Sequence, residues 1–593
     1  MGTSKITEPP LSPCHPIPRF SICLQFSFGD PRVYGCHIFP RRNILPSGRT
    51  QAMVGSFRNE CIGCFIVVFD LWSLASCLFP AGFFRNIGDP LETLQSIAYG
   101  FSILLTPTNL IYCFFGVLMG TLVGVLPGLG PAAAISLLLP TIFYAPPVAS
   151  FIMLSGICYG AQYGGSTTSI LLNIPGETAS VVTCIDGYQM AMKGRAGPAL
   201  GISAFGSFIA GTTGIIGLMF FAPPLANFAL RFGPPEYFSL ATMSLTLVTY
   251  LSRGSLIRSL MMACVGLIMS SVGMDPMTSR TRFTFGLPAL LDGFEIVFVA
   301  MGLFGMSEVL INLDQSFKRE VLCTKIKNIL PTRQDWKDSA KPIARGTLLG
   351  FFLGIIPGLG ITISTFMSYA LEKKFSKHPE KFGTGTIEGV AGPESANNAA
   401  SSGTFIPLLS LGIPTNPSTA ILLGALMIMG LQPGPLLISS KPDLFWGFIA
   451  SMYIGNVMLV VLNLPLIGVW VQILRIPYSI LAALIVVFCE IGAYSIDNNV
   501  TGVLLMNIFG LVGYLMKRYE FSGAPLILAL VLGPMFENSL RRSLMLSHGS
   551  AMIFFTRPLS AIFLIIAIVF LISPLFSRQR IGKKVIEMQD QGG

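Results

Sequence analysis

The chain has 593 residues, of which 52% are apolar and only 11% charged, and its mean hydropathy is +0.70. Soluble domains carry about 25% charged residues, so this composition excludes an ordinary water-soluble fold. The net charge of +10 falls in short gaps between apolar stretches, a distribution that fits cytoplasmic loops and not a nucleic-acid-binding face.

Residues 1–90 are rich in Pro, Arg and Cys and lack helical periodicity until about Cys61. They read as an atypical N-terminal extension with three open explanations. It is disordered, or it carries a spanning helix or signal anchor over Cys61–Phe84, or it is an over-extended start ahead of Leu91. Cys61-x-x-Cys64 has no second Cys or His pair at zinc spacing, and the four His are far apart, so no metal site is expected. Residues 91–101 suit an interfacial helix.

A spanning helix needs about 20 mostly apolar residues, and roughly ten to fourteen such stretches follow from Asn109 onward. They run at 109–126, 131–144, 148–172, 199–222, 236–251, 256–272 and 292–314, then at 346–370, 403–412, 417–431, 443–474, 478–496, 500–516, 523–535 and 551–575. They are continuously apolar without alternation, which selects helices over a barrel. The expected fold is an all-α polytopic membrane protein of about 12 transmembrane helices. The first half covers 91–314 and the second 346–575. Between them, 315–345 forms a basic cytoplasmic loop with Lys318, Arg319, Lys325, Lys327, Arg333, Lys337, Lys341 and Arg345, and 576–593 is a polar tail.

The two halves carry a repeated motif. Residues 116–130 read GVLMGTLVGVLPGLG and residues 346–360 read GTLLGFFLGIIPGLG, aligned without a gap. A second polar, glycine-rich patch follows each. The first runs from Tyr159 through Ser166, Thr167, Thr168 and Ser169 to Asn173-Ile-Pro-Gly-Glu177. The second runs from Glu388 through Glu394, Asn397, Asn398, Ser401, Ser402 and Thr404 to Gly412-Ile-Pro-Thr-Asn416. Each half therefore holds two interrupted helices in the same order.

Within each motif the glycines divide into two kinds. Gly116, Gly120 and Gly124, like Gly346, Gly350 and Gly354, are spaced four apart, which suits close helix packing. Gly128, Gly130, Gly358 and Gly360 stand beside a proline that forces a break. A break in hydrocarbon exposes backbone groups at several kcal/mol each, so it must face protein, water or a ligand. Pro131 then suits the first position of a new helix, whose free N–H groups favour an anion. Paired breaks of this kind in matching halves point to a transporter's central site.

The polar patches supply further ligands. Ser166, Thr167, Ser401 and Thr404 offer hydroxyls, and Asn173, Asn397, Asn398 and Asn416 offer amides, although Ser and Thr also serve as interhelical glue. Glu177, Asp186, Glu388 and Glu394 are ionisable groups at or beside membrane depth. A carboxylate repels an anionic substrate, so Glu394 and Glu177 are candidates for holding a coupling cation. For Glu177 and Asp186 the competing expectation is a place at the membrane surface, beside Lys193 and Arg195. Rival readings are an intramembrane enzyme, for which no nucleophile–base pair is visible and which is not expected, and an ion channel.

Thr106-Pro-Thr-Asn-Leu110, the two Pro-Gly-Leu-Gly breaks, Tyr163-Gly-Gly-Ser166, Asn173-Ile-Pro-Gly-Glu177 and Gly392-Pro-Glu-Ser-Ala-Asn-Asn-Ala399 together resemble the large membrane subunit of the tripartite tricarboxylate transporters, TctA-type. The resemblance runs from about Leu91 to the last apolar segment. It implies the permease of a secondary transporter in the bacterial inner membrane. That permease would carry citrate-like di- or tricarboxylates, coupled to Na⁺ or H⁺, with no cofactor. It also implies two partners: a small membrane subunit and a periplasmic solute-binding protein.

Overall fold

The computed structural model describes residues 90–573 apart from 253–254, 315–325, 327, 359, 475 and 477. The expectations for the N-terminal extension, for residues 315–325 and 327 of the basic loop, and for the polar tail lie outside the described residues.

The described chain is mostly helical with one small hairpin, and besides the main helices named next it has short ones at Leu437–Ser440 and Ile553–Thr556. In order, the helices are α1 (Pro90–Leu104), α2 (Pro107–Gly124), α3 (Pro131–Leu138), α4 (Pro147–Leu172), α5 (Val181–Met192), α6 (Ala196–Ala229), α7 (Pro234–Leu251) and α8 (Leu256–Ser270). The hairpin pairs Gly273–Met274 with Thr281–Arg282. Then come α9 (Ile296–Asp314), which has a π-helical turn at Met301–Met306, α10 (Arg333–Ile355), α11 (Gly360–Phe375), α12 (Glu388–Leu411) and α13 (Pro417–Ile428). The last group is α14 (Pro442–Asn463), α15 (Ile467–Ile473), α16 (Tyr478–Asp497), α17 (Val500–Arg518), α18 (Gly523–Leu546) and α19 (Pro558–Ser573). Proline opens α2, α3, α4, α7, α13 and α14, where its missing N–H costs nothing. Among the described residues, seven helices are long and apolar enough to cross a bilayer: α2, α6, α9, α14, α16, α17 and α18. The chain is an all-α polytopic membrane protein.

The tightest packing joins α2 to α4, α10 to α12, and α12 to α6. The four-residue glycine spacing causes the first two. A Cβ on Gly116, Gly120 or Gly124 would stand 2.3, 2.5 or 2.2 Å from the carbonyl oxygens of Met153, Ile157 and Ala161 on α4. A Cβ on Gly346, Gly350 or Gly354 would stand 2.3, 2.3 or 2.2 Å from those of Gly392, Ala396 and Ala400 on α12. The contact is reciprocal, since Gly164 meets Thr121 O on α2 and Gly403 meets Phe351 O on α10. Both buried helices then end on a left-handed residue, Asn173 (φ 56°) after α4 and Gly412 (φ 71°) after α12, each followed by Ile-Pro.

Three boundaries differ from the sequence expectation. The helix over 346–355 begins at Arg333, so Lys337, Lys341 and Arg345 lie on α10 and not in a loop. Thr332 and Asp335 form a capping box that starts it, and the Arg345 guanidinium pairs with buried Glu372 on α11. The short apolar segment 403–412 is only the end of α12, which starts at Glu388 and holds Pro393 and Pro407 inside it. The segment 443–474 is interrupted at residues 464–466, where Pro465 ends α14 before α15 begins.

Candidate functional site

The polar patches lie on α4 and α12, two helices buried on nearly all sides. Their polar groups meet across the interior and also reach α5 and α6. Gln162 Nε2 donates to Ser401 Oγ at 3.0 Å. Glu394 is the centre of the network: Ser166 Oγ donates to its Oε2 at 2.6 Å, and Thr183 Oγ1 of α5 donates to its Oε1. Asn398 Nδ2 donates to Ser207 Oγ of α6 at 2.7 Å and to the Glu394 carbonyl at 3.1 Å. Tyr163 donates to Asn456 Oδ1 of α14 at 3.1 Å. Glu394 is 1% exposed, yet no Arg, Lys or His among the described ion pairs neutralises it.

The Pro-Gly-Leu-Gly breaks form as the sequence requires. Gly128 and Gly358 share φ 83°, a left-handed conformation that favours glycine. Gly128 faces the Asn312 amide of α9, and Gly358 packs on Leu247 and Val248 of α7 while its N–H donates to Thr415 O at 3.1 Å. Gly130 caps α3 in extended conformation. A Cβ on it would lie 3.3 Å from Glu177 Cβ, and Gly360 has open space around it. Glu177 is half-buried, and its Oε1 accepts from Asn397 Nδ2 at 3.1 Å. The neighbouring Thr178 hydroxyl lies 2.8 Å from that of Thr362, in the first turn of α11. The α4–α5 loop thus brings Glu177 beside the start of α3 and Thr178 beside the start of α11, one helix from each half of the chain. Helix starts carry partial positive charge.

Two cavities of about 20 Å³ each border the network. One is lined by Tyr163, Ser166, Thr167, Ser203 and Asn463 among others, and the second by Asn398, Ser401, Ser402 and Asn456. Each has room for a water or a monatomic ion and none for a tricarboxylate.

The structure therefore divides the residues proposed from sequence. Ser166, Thr167, Asn398 and Ser401 line the cavities, Glu394 stands behind Ser166, and Gly130, Glu177 and Asn397 cluster near α3 with Gly360 near α11. Three others make local backbone contacts. Asn173 is an exposed left-handed C-cap, Thr404 Oγ1 bonds back to Ser401 O at 2.7 Å, and Asn416 Oδ1 caps α13 by accepting from Thr419 N at 3.0 Å. Removing that cap, as in Asn416→Ala, is expected to cost about 1 kcal/mol, measured as a lower midpoint of thermal unfolding with an unchanged substrate constant. Asp186 is enclosed by protein wherever it stands relative to the bilayer. It is fully buried and accepts the N–H groups of Gly383, Gly385 and Thr386. Glu388 accepts from Ser376 at 2.8 Å in the first turn of α12.

The sequence reading passed over Gln162, Thr183, Ser203, Ser207, Asn456 and Asn463. For Asn463 a signal existed in the following Leu-Pro, another proline-marked break. Gln162 lies inside the first polar patch but among more numerous hydroxyls, and the rest are single polar residues that spacing alone does not separate from packing residues. Among the described residues no group of three or more His, Cys, Asp or Glu gathers around a metal position.

The family model for the tripartite tricarboxylate transporter TctA family matches residues 110–528. An uncharacterized 52.8 kDa protein of the TAR-I ttuC′ 3′ region of Agrobacterium vitis is 52% identical over 471 residues, covering 79% of this chain and 94% of that protein. An uncharacterized protein of the TAR-II ttuC′ 3′ region of the same organism is 49% identical over 241 residues, 41% of this chain and 100% of its own length. No solved structure matches the chain. With the family model spanning most of the helical body and a relative covered almost end to end, the chain belongs to the tripartite tricarboxylate transporter TctA family, a membrane transporter component.

Proposed function

We propose that the chain is the permease subunit of a binding-protein-dependent secondary transporter in the bacterial inner membrane. It imports di- or tricarboxylate anions by cation-coupled alternating access, working with a small membrane subunit and a periplasmic solute-binding protein. One observation carries this reading: the starts of α3 and α11, from equivalent places in the two halves, are brought to Glu177 and Thr178 of a single loop. Two positive helix ends near one loop favour an anion. Glu177 in the same region must be neutralised by a cation or a proton before a carboxylate can approach, which is how coupling would arise. The matching order of break, buried helix and left-handed cap in both halves suits alternating access.

The test is uptake of ¹⁴C-citrate by cells that express the chain with its two partners. Accumulation is expected to need the soluble partner and to collapse with an ionophore. Uptake that is indifferent to both would remove the reading. In the same assay Gly130→Val is expected to cut uptake by at least about tenfold while leaving the protein monodisperse in detergent, because its Cβ meets only the Glu177 side chain at close range.

A further inference from the structure

The interruption at residues 464–466 is not among the paired breaks, and it opens beside the Glu394 network. α14 stops at Asn463, and Trp470 Nε1 holds the stub by donating to Leu462 O at 2.9 Å. Asn463 is 5% exposed. Its Nδ2 is bound to Leu459 O at 2.9 Å, while its Oδ1 is buried without a hydrogen-bond partner. A buried amide oxygen left unpaired costs about 1–3 kcal/mol, and this one belongs to a residue that lines the first cavity.

The rest of that cavity's polar lining is also oxygen. Ser166, Thr167 and Ser203 contribute hydroxyls from α4 and α6. Ser166 donates its proton to Glu394, so its remaining lone pairs are available to accept a cation. Glu394 therefore stands one hydroxyl behind the cavity, bonded by Ser203 as well as Ser166, as a buried carboxylate with no basic partner among the described residues. Oxygen ligands from hydroxyls and amides, with a carboxylate nearby, select hard cations. The cavity volume of about 20 Å³ fits one monatomic ion and is too small for an organic one.

We infer that this cavity, between Ser166, Thr167, Ser203 and Asn463, is a Na⁺ site whose charge Glu394 balances through Ser166. The assignment rests on the transporter reading above in one respect only: it makes Na⁺ the coupling ion of that transport. The site also bridges three elements that already pack on one another, α4, α6 and the end of α14.

The test is binding of ²²Na⁺ alone to the full-length purified chain in nanodiscs, with choline as the replacement cation. Saturable binding of one ion per chain, displaced by unlabelled Na⁺ and not by choline, is expected. Asn463→Ala and Ser203→Ala are each expected to weaken it by at least about tenfold, the loss of one ligand. Asn463→Asp keeps the oxygen and is expected to bind. Ser203→Ala also removes a partner of Glu394, so the folding of both alanine variants is checked by size-exclusion before binding is compared. No saturable binding, or wild-type binding in both alanine variants, overturns the site and leaves the cavity to water. The two readings fail separately. Citrate uptake without ²²Na⁺ binding defeats the cation site and spares the transporter, whereas ²²Na⁺ binding without any carboxylate uptake does the reverse.

Discussion

Gly350→Val is expected to leave no folded protein. A Cβ at this position would stand 2.3 Å from the Ala396 carbonyl oxygen and 2.7 Å from its Cα, both backbone atoms of α12. Neither can move without displacing the helix that carries Glu394, Asn397 and Asn398. Overpacking costs about 1–3 kcal/mol where side chains can yield, and here only backbone is available to yield, so the cost is expected at or above the top of that range. Gly120→Val faces the same geometry, with Ile157 O at 2.5 Å and Ile157 Cα at 2.7 Å. The readout is fluorescence-detected size-exclusion of detergent-extracted protein, in which both variants lose the monodisperse peak. Gly468→Val is the control, since nothing stands within 4 Å of its Cβ position. A monodisperse Gly350→Val would show that α10 and α12 are not in this contact.

The second large effect is at Asp186. Its Oδ1 accepts from the N–H groups of Gly383, Gly385 and Thr386 at 3.0, 2.7 and 2.9 Å, and its Oδ2 accepts from the Tyr369 hydroxyl at 2.8 Å. α5 of the first half is thereby tied to α11 and to the loop that leads into α12. Asp186→Ala strands three backbone donors at once. A fully buried unpaired donor costs about 1–3 kcal/mol; these three are half-buried and water can satisfy part of the loss, so about 2–3 kcal/mol in total is expected. Tyr369→Phe, which removes one neutral donor, is expected to cost about 1 kcal/mol. Thermal unfolding of the purified variants checks the order. Equal midpoints for Asp186→Ala and wild type would mean that the carboxylate does not organise this loop.

Much of this architecture was legible in the residues. The glycines four apart announced close packing because no side chain other than hydrogen admits a backbone at that distance, and the structure places all six at such contacts. Pro127 and Pro357 announced interruptions because proline cannot continue a helix without losing a hydrogen bond. Less legible was α12. Its polar stretch from Glu388 reads as an interruption ahead of the apolar end at 403–412, whereas α12 runs unbroken through it. Protein surrounds that stretch. Asp186 read as a surface group because Lys193 and Arg195 follow closely, and nothing in the sequence tells that three N–H groups nearly 200 residues away fold onto it. The partners of Glu394 were hidden for the same reason: Thr183 and Ser166 are ordinary hydroxyls until topology brings them to a carboxylate.

The two helices that hold the polar network, α4 and α12, are not among those apolar enough to enter a bilayer by themselves. The translocon partitions segments by apolarity, and a mid-helix acid such as Glu394 weighs against insertion by about 2.5–3.5 kcal/mol. Each of the two is preceded in the chain by its glycine-lined partner, α2 for α4 and α10 for α12. For α4 the earlier partner α2 is itself apolar enough to wait in the membrane and receive it, whereas α10 is not among the apolar helices, so α10 and α12 have to enter together. A lesion in the glycine seam would then register first as a topology error during synthesis, before any solute is offered.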